Sequence, residues 1–139
     1  MLISNLLADR VGDVSPIIGA AAWKDSGKKL QCRSLLWFDY GLLPIFIQPE
    51  QISQAKLILR PVEMNTVEQL NSAWQPHKFV VRWVLEPWED SMTNWITQPT
   101  ASPDDETIKF ITENKIGKTV RVDVTEIVKI CFATVTMDL

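Results

Sequence analysis

The chain has 139 residues, a hydrophobic share of 46%, a charged share of 22% and a formal net charge of −3. These are the proportions of an ordinary soluble globular protein, so disordered and collagen-like classes fall away, and the length suits a single domain over residues 1–139. Its 14 lysines and arginines are scattered and outnumbered by 17 acids, which leaves no basic footprint for a phosphate backbone and excludes nucleic acid as an expected partner.

Taken in chain order, the first ten residues lack a basic n-region and a long enough apolar core, so no signal peptide is visible in this chain. An apolar stretch with Pro16 and Ile17 leads to Trp23, and a polar turn follows at 24–29. Residues 34–40 are aromatic and aliphatic and predict a strand in a protein interior, which places Trp37 in the core. The run at 42–47 is apolar but short and cut by Pro44, far from the roughly 18 residues a bilayer span needs, so membrane insertion is not expected. Ala55, Leu57 and Leu59 alternate with Lys56, Ile58 and Arg60, the period of a strand with one buried face, and Pro61 closes it.

The region 63–78 is polar and predicts a long loop with room for one helical turn at 67–70. Phe79, Val81, Trp83 and Leu85 then share one face of an extended segment that Pro87 bends away. A second exposed loop is expected at 101–106, a short strand at 107–111, a turn at 114–117 and a strand at 119–124 with Val120, Val122 and Val124 on one face. One helical turn at 125–130 and a final strand at 132–137 complete the reading. Several short strands parted by turn-rich loops predict an all-β fold, an antiparallel β-sandwich or jelly roll with long ordered loops.

The stretch from Val81 through Glu86, Trp88, Glu89, Thr93 and Trp95 to Pro99 resembles the V-x-x-V-x-E-x-W-x-E-x-x-x-T-W-x-x-x-P segment of the DNRLRE-domain family. Three further blocks stand in the matching order: Arg33 to Asp39 with Leu43-Pro44, then Ile52 to Leu59, then Val122 to Val128 with its Asp123-Val124-Thr125. Together they span roughly residues 15–130. The resemblance implies a non-catalytic β-sandwich related to carbohydrate-binding modules, with Arg33, Asp39, Trp88, Glu89, Thr93, Trp95 and Asp123 in structural roles. Two departures stand out. The family's opening Asn-x-Gly turn is replaced by the Lys24 to Lys29 turn, and members continue past the Asp-Val-Thr block with further strands, so a C-terminally incomplete sandwich is expected.

Catalytic signatures are missing from the sequence. Glu86, Glu89 and Asp90 crowd within five positions, whereas a glycosidase needs two carboxyls facing each other across a cleft. Glu89 or Asp90 is expected to accept backbone N–H groups within the loop, or to pair with an arginine such as Arg33 or Arg82. His77 is the single histidine, and neither G-x-S-x-G nor G-x-G-x-x-G occurs. Cys32 and Cys131 lie outside any C-x-x-C spacing and read as two inert thiols, with a disulfide as the alternative. No metal ligand set is assigned. Asp104, Asp105 and Glu106 offer the hard oxygens calcium takes, without EF-hand spacing, and make calcium the one cofactor to consider.

Of the 6 tryptophans, Trp74 and Trp23 stand beside polar loop residues and are the candidate ligand-binding positions, since an indole face stacks on a sugar ring. The expected function is therefore a binding or adhesion module without catalysis, carbohydrate-binding, in a bacterial surface or secreted protein. The alternative is a structural subunit of an extracellular or phage-tail-like contractile assembly. Its partners are a polysaccharide or other protein subunits, and its location is extracellular or at the cell surface.

Overall fold

The computed structural model describes residues 1–14, 16–40, 43–44, 47–60, 78–103, 108–111 and 119–137. Among them are seven strands: β1 Leu2–Ser4, β2 Ala21–Asp25, β3 Lys28–Ser34, β4 Lys56–Leu59, β5 Lys78–Val81, β6 Ile108–Ile111 and β7 Val120–Asp123. They are followed by one helix, α1 Thr125–Met137. The chain divides into two compact units, the first built from Met1–Phe38 and Val84–Ser102, the second from Asp39–Trp83 and Pro103–Leu139.

In the first unit, β1, β3 and β2 form an antiparallel sheet in that order, with Ile3 opposite Arg33 and Trp23 opposite Leu30. The β2–β3 hairpin closes through Ser26 and Gly27, both at positive φ (49° and 82°). That is the geometry a two-residue hairpin loop requires and glycine adopts without strain. Ile3 is only 2% exposed and anchors the small core of this unit. Ser34 ends β3, its hydroxyl donating to the Gly19 carbonyl and accepting the Gly19 N–H, both at 2.8 Å.

The second unit holds two antiparallel pairs, β4 with β7 and β5 with β6. The period-2 expectations hold for β4 and β7: Leu57, Leu59 and Val122 turn inward while Lys56, Ile58, Arg121 and Asp123 face solvent. Val122 and Phe132 are buried, and the Phe132 ring meets Tyr40 edge-on, centroids 6.4 Å apart. α1 packs against the short 3-10 turn Pro49–Gln51.

The expected all-β sandwich or jelly roll is corrected here. The described strands make sheets of three, two and two strands, and a 13-residue helix accompanies them, so the architecture is mixed and no sandwich forms among the described residues. Three local reasons account for the difference. The run 34–40 does not continue β3: Leu35 still exchanges backbone bonds with Met1, but among the described residues no strand pairs with the chain beyond it, and Leu36, Trp37 and Phe38 are exposed. The extended segment after Phe79 leaves its strand at Val81 rather than Leu85.

The strand expected at 132–137 is helical. Its β-branched composition favours a strand, but Asp123 and Thr125 start a helix and no glycine or proline lies between there and Met137 to stop it. Val128 and Phe132 are then one turn apart, and Phe132 is buried from that face.

Candidate functional site

The most organised part of the first unit is the elbow that follows Val84. It begins and ends in one clasp: the Leu85 N–H donates to the Thr100 carbonyl and the Thr100 N–H donates to Glu86 Oε2, each at 2.8 Å. The Thr100 backbone N–H holds the Glu86 carboxyl below its usual range. Glu86 is therefore an ionised acceptor at neutral pH, held in the clasp by the charge-assisted bond from Thr100.

Inside the clasp, the Glu89 carbonyl accepts the Thr93 N–H at 3.0 Å and the Thr93 hydroxyl at 2.6 Å. Thr93 is buried, and its carbonyl accepts the Gly12 N–H at 3.0 Å. The Asn94 side-chain oxygen accepts the N–H groups of Ile96 and Thr97 at 2.8 and 2.9 Å, an Asx turn that sets the next bend. The Ile96 N–H reaches back to the Ala8 carbonyl at 3.3 Å. Every one of these bonds uses a short polar side chain or a backbone group, so the elbow is fixed without depending on a large core.

Arg33 joins the elbow to the sheet. Its guanidinium lies 4.7 Å from the Trp95 ring centroid and donates to Gln98 Oε1 at 2.9 Å, while Gln98 Nε2 donates to the Trp95 carbonyl at 2.7 Å. The expected carboxylate partner for Arg33 is thus replaced by an indole face and a neutral amide. Of the residues expected to be structural, the fold brings together Arg33 with Trp95 and Glu89 with Thr93. Glu89 acts through its carbonyl, its side chain being exposed, and Trp88 is half-buried in the same unit.

Asp39 and Asp123 lie in the second unit, both exposed. Asp123 Oδ1 accepts the Thr125 hydroxyl at 2.6 Å and the Thr125 N–H at 3.0 Å, and these bonds lower its pKa. The Ala55 N–H donates in turn to the Thr125 hydroxyl at 2.9 Å, tying the helix start to β4.

Trp23 is 44% exposed on β2, whereas Trp74 lies outside the described residues, as do His77 and the 104–106 acids considered for calcium. Trp37, expected in the core, is 73% exposed. Cys32 and Cys131 are free thiols, and burial raises the Cys131 pKa. Among the described residues there is no group of three or more metal-ligating side chains, and no helix is long and apolar enough to cross a membrane.

Two shallow hollows lie among the described residues of the second unit. One, of about 450 Å³, is lined by Ser53, Ile108, Asp123, Thr125, Glu126 and Lys129. The other, of about 340 Å³, lies along Pro49, Glu50 and Ala133. In the larger, Asp123 is engaged with Thr125 and Glu126 with Lys129 at 2.9 Å, so each acid already has a partner.

No family model, curated protein or solved structure matches this chain. The site must be read from its own geometry.

Sequence reasoning did not single out Asn94, Thr97 or Gln98. The Asn94-x-x-Thr97 spacing, which suits a side-chain-closed turn, was the signal available for the first two. It also missed the apolar rim. Leu6, Leu7, Val11, Met92 (68% exposed) and Ile96 (69%) stand out from two segments that the Ile96–Ala8 and Gly12–Thr93 bonds hold side by side. Asp9, Asp13, Glu89 and Asp90 are exposed on the same two segments, with Arg10 the one base among them.

Proposed function

We propose that this chain is a non-catalytic module that works by protein–protein contact, as a building block of a larger bacterial surface or extracellular assembly. The observation that carries this reading is the aliphatic rim. Side chains such as Leu6, Met92 and Ile96 are held in solvent on a backbone that hydrogen bonds have already fixed. Apolar groups exposed in one place on an ordered scaffold suit docking, because burying them releases water at little entropic cost. Aliphatic chains offer nothing to the polar edges of a sugar, so a protein surface is the better match.

Carbohydrate binding is the second reading, and one feature favours it: the Trp37 indole is 73% exposed and followed by exposed Phe38, with Trp23 exposed on β2. Stacking of a pyranose on such a face is the usual aromatic contribution to sugar recognition. The resemblance of 81–100 to the DNRLRE family supports either reading, since both are non-catalytic.

Light scattering over a wide concentration range separates them. Defined self-association supports the building-block reading. A monomer at every concentration, together with glycan binding abolished by Trp37→Ala, overturns it in favour of the carbohydrate module.

A further inference from the structure

The hairpin end of the first unit carries the counterpart of the rim. The register sets Lys24 directly opposite Lys29, and Asp25 opposite Lys28, so the two ammonium groups of Lys24 and Lys29 rise side by side from one face of the sheet. Like charges directly across a ladder destabilise it, and the arrangement is relieved when an acid comes between them. Lys24, Lys28 and Lys29 are exposed, and all five residues of β2 are exposed as well. Among the described residues, no strand pairs with the outer edge of β2.

This basic spot and the acidic rim are neighbours in the fold. Asn5, which opens the rim segment, donates to the Lys29 carbonyl at 2.9 Å and accepts the Gln31 N–H at 2.8 Å. Strand alternation puts Lys24 and Lys29 on the same sheet face as Ile3 and Arg33. The elbow covers that face at Arg33, through Trp95 and Gln98, while the hairpin end is open.

We infer that a second copy of this chain docks here in a two-fold arrangement, the acidic apolar rim of each protomer resting on the Lys24/Lys29 spot of the other. A patch with a positive half beside a negative half is self-complementary under two-fold rotation, because each residue's partner is supplied twice. The charges fix the register and the aliphatic groups, Met92 and Ile96 foremost, supply the desolvated centre. Either half alone is small, and the symmetric doubling is what brings such a contact toward the roughly 1,200 Å² of a stable interface. This rests on the building-block reading and names its partner and surface.

The test is a charge swap read by sedimentation velocity and light scattering on the full chain. Lys24→Glu with Lys29→Glu makes both halves negative, and Asp9→Lys with Asp90→Lys makes both positive. All four positions are exposed, and circular dichroism checks that each variant keeps the fold. Each variant alone is expected to associate at least about tenfold more weakly than the parent, and an equimolar mixture of the two restores association. Association that is indifferent to both swaps overturns this inference and leaves the building-block reading standing. A parent chain that stays monomeric at every concentration overturns both.

Discussion

Arg33 is the most informative residue to perturb, because two physical accounts of it give different numbers. Paired with a buried carboxylate, its loss would strand a charge and cost about 3–5 kcal/mol. The structure instead gives it an indole face at 4.7 Å and a neutral amide at 2.9 Å, on an exposed side chain. At an exposed site the cation–π contact contributes about 0.5–1 kcal/mol, and the Gln98 bond about the same once water competes for both partners.

Arg33→Ala is therefore expected to cost about 1–2 kcal/mol, a Tm fall of roughly 3–7 °C for a chain of this size. A double-mutant cycle with Trp95→Leu, read by urea titration, isolates the contact and should return a coupling of about 0.5–1 kcal/mol. Arg33→Lys keeps the charge but loses the planar stack and the fork that reaches Gln98, and is expected to fall between parent and alanine variant. A coupling below about 0.2 kcal/mol, or a cost for Arg33→Ala above about 3 kcal/mol, would refute the arrangement.

Three further outcomes are expected. A Cβ at Gly12 would lie 2.6 Å from Met1 Cγ and Sδ and 2.8 Å from Ile3 Cγ2. Met1 can swing aside but buried Ile3 cannot, so Gly12→Ala should cost about 1–3 kcal/mol by thermal melting. Gly19→Ala, whose Cβ meets Leu2 Cδ1 at an ordinary 3.8 Å, is the control that should leave the melting temperature nearly unchanged. The Thr125 bonds set the folded pKa of Asp123 below its unfolded value, so the folded state holds fewer protons. This stabilisation is full above the unfolded carboxylate value of about 4 and is lost as pH falls through the lower folded value. Asp123→Asn should accordingly lower Tm near pH 7 and converge with the parent in acid; a constant offset at all pH values would contradict this. Burial raises the Cys131 pKa, so iodoacetamide should alkylate it at least about tenfold more slowly in the native protein than in urea, and equal rates would place it in solvent.

How much of this was legible beforehand differs from element to element. Residues 56–59 and 120–123 could be read directly, because one apolar face and one polar face leave a period-2 trace that survives whatever the sheet does next. The turn expected over 24–29 was only partly legible: the reversal is there, but it is confined to Ser26 and Gly27, and β2 and β3 run into it on either side, because strand pairing is not local to the polar residues. The sandwich had no local trace at all. It required that 34–40 find a partner strand, and the number of partners a segment acquires is a non-local property with no periodic signature. The same limit explains α1: at 132–137 composition favoured a strand, but the outcome was decided upstream, by the Asp123–Thr125 cap that committed the chain to helical bonds.

The site follows the same logic. Trp95, Thr93 and Arg33 drew notice as residue types, but their roles depend on who sits opposite. A tryptophan that looked like core in the sequence, Trp37, stands in solvent because the chain around it leaves the sheet. The apolar rim was hidden for a related reason: Leu6, Leu7 and Val11 belong to one segment and Met92 and Ile96 to another more than eighty residues away. Each looks like routine core material until the Ile96–Ala8 and Gly12–Thr93 bonds place both segments in solvent. An exposed leucine alone means little. Five large apolar side chains on two clamped segments, next to a lysine pair whose own register keeps two like charges together, describe a surface whose most economical neutralisation is another copy of itself.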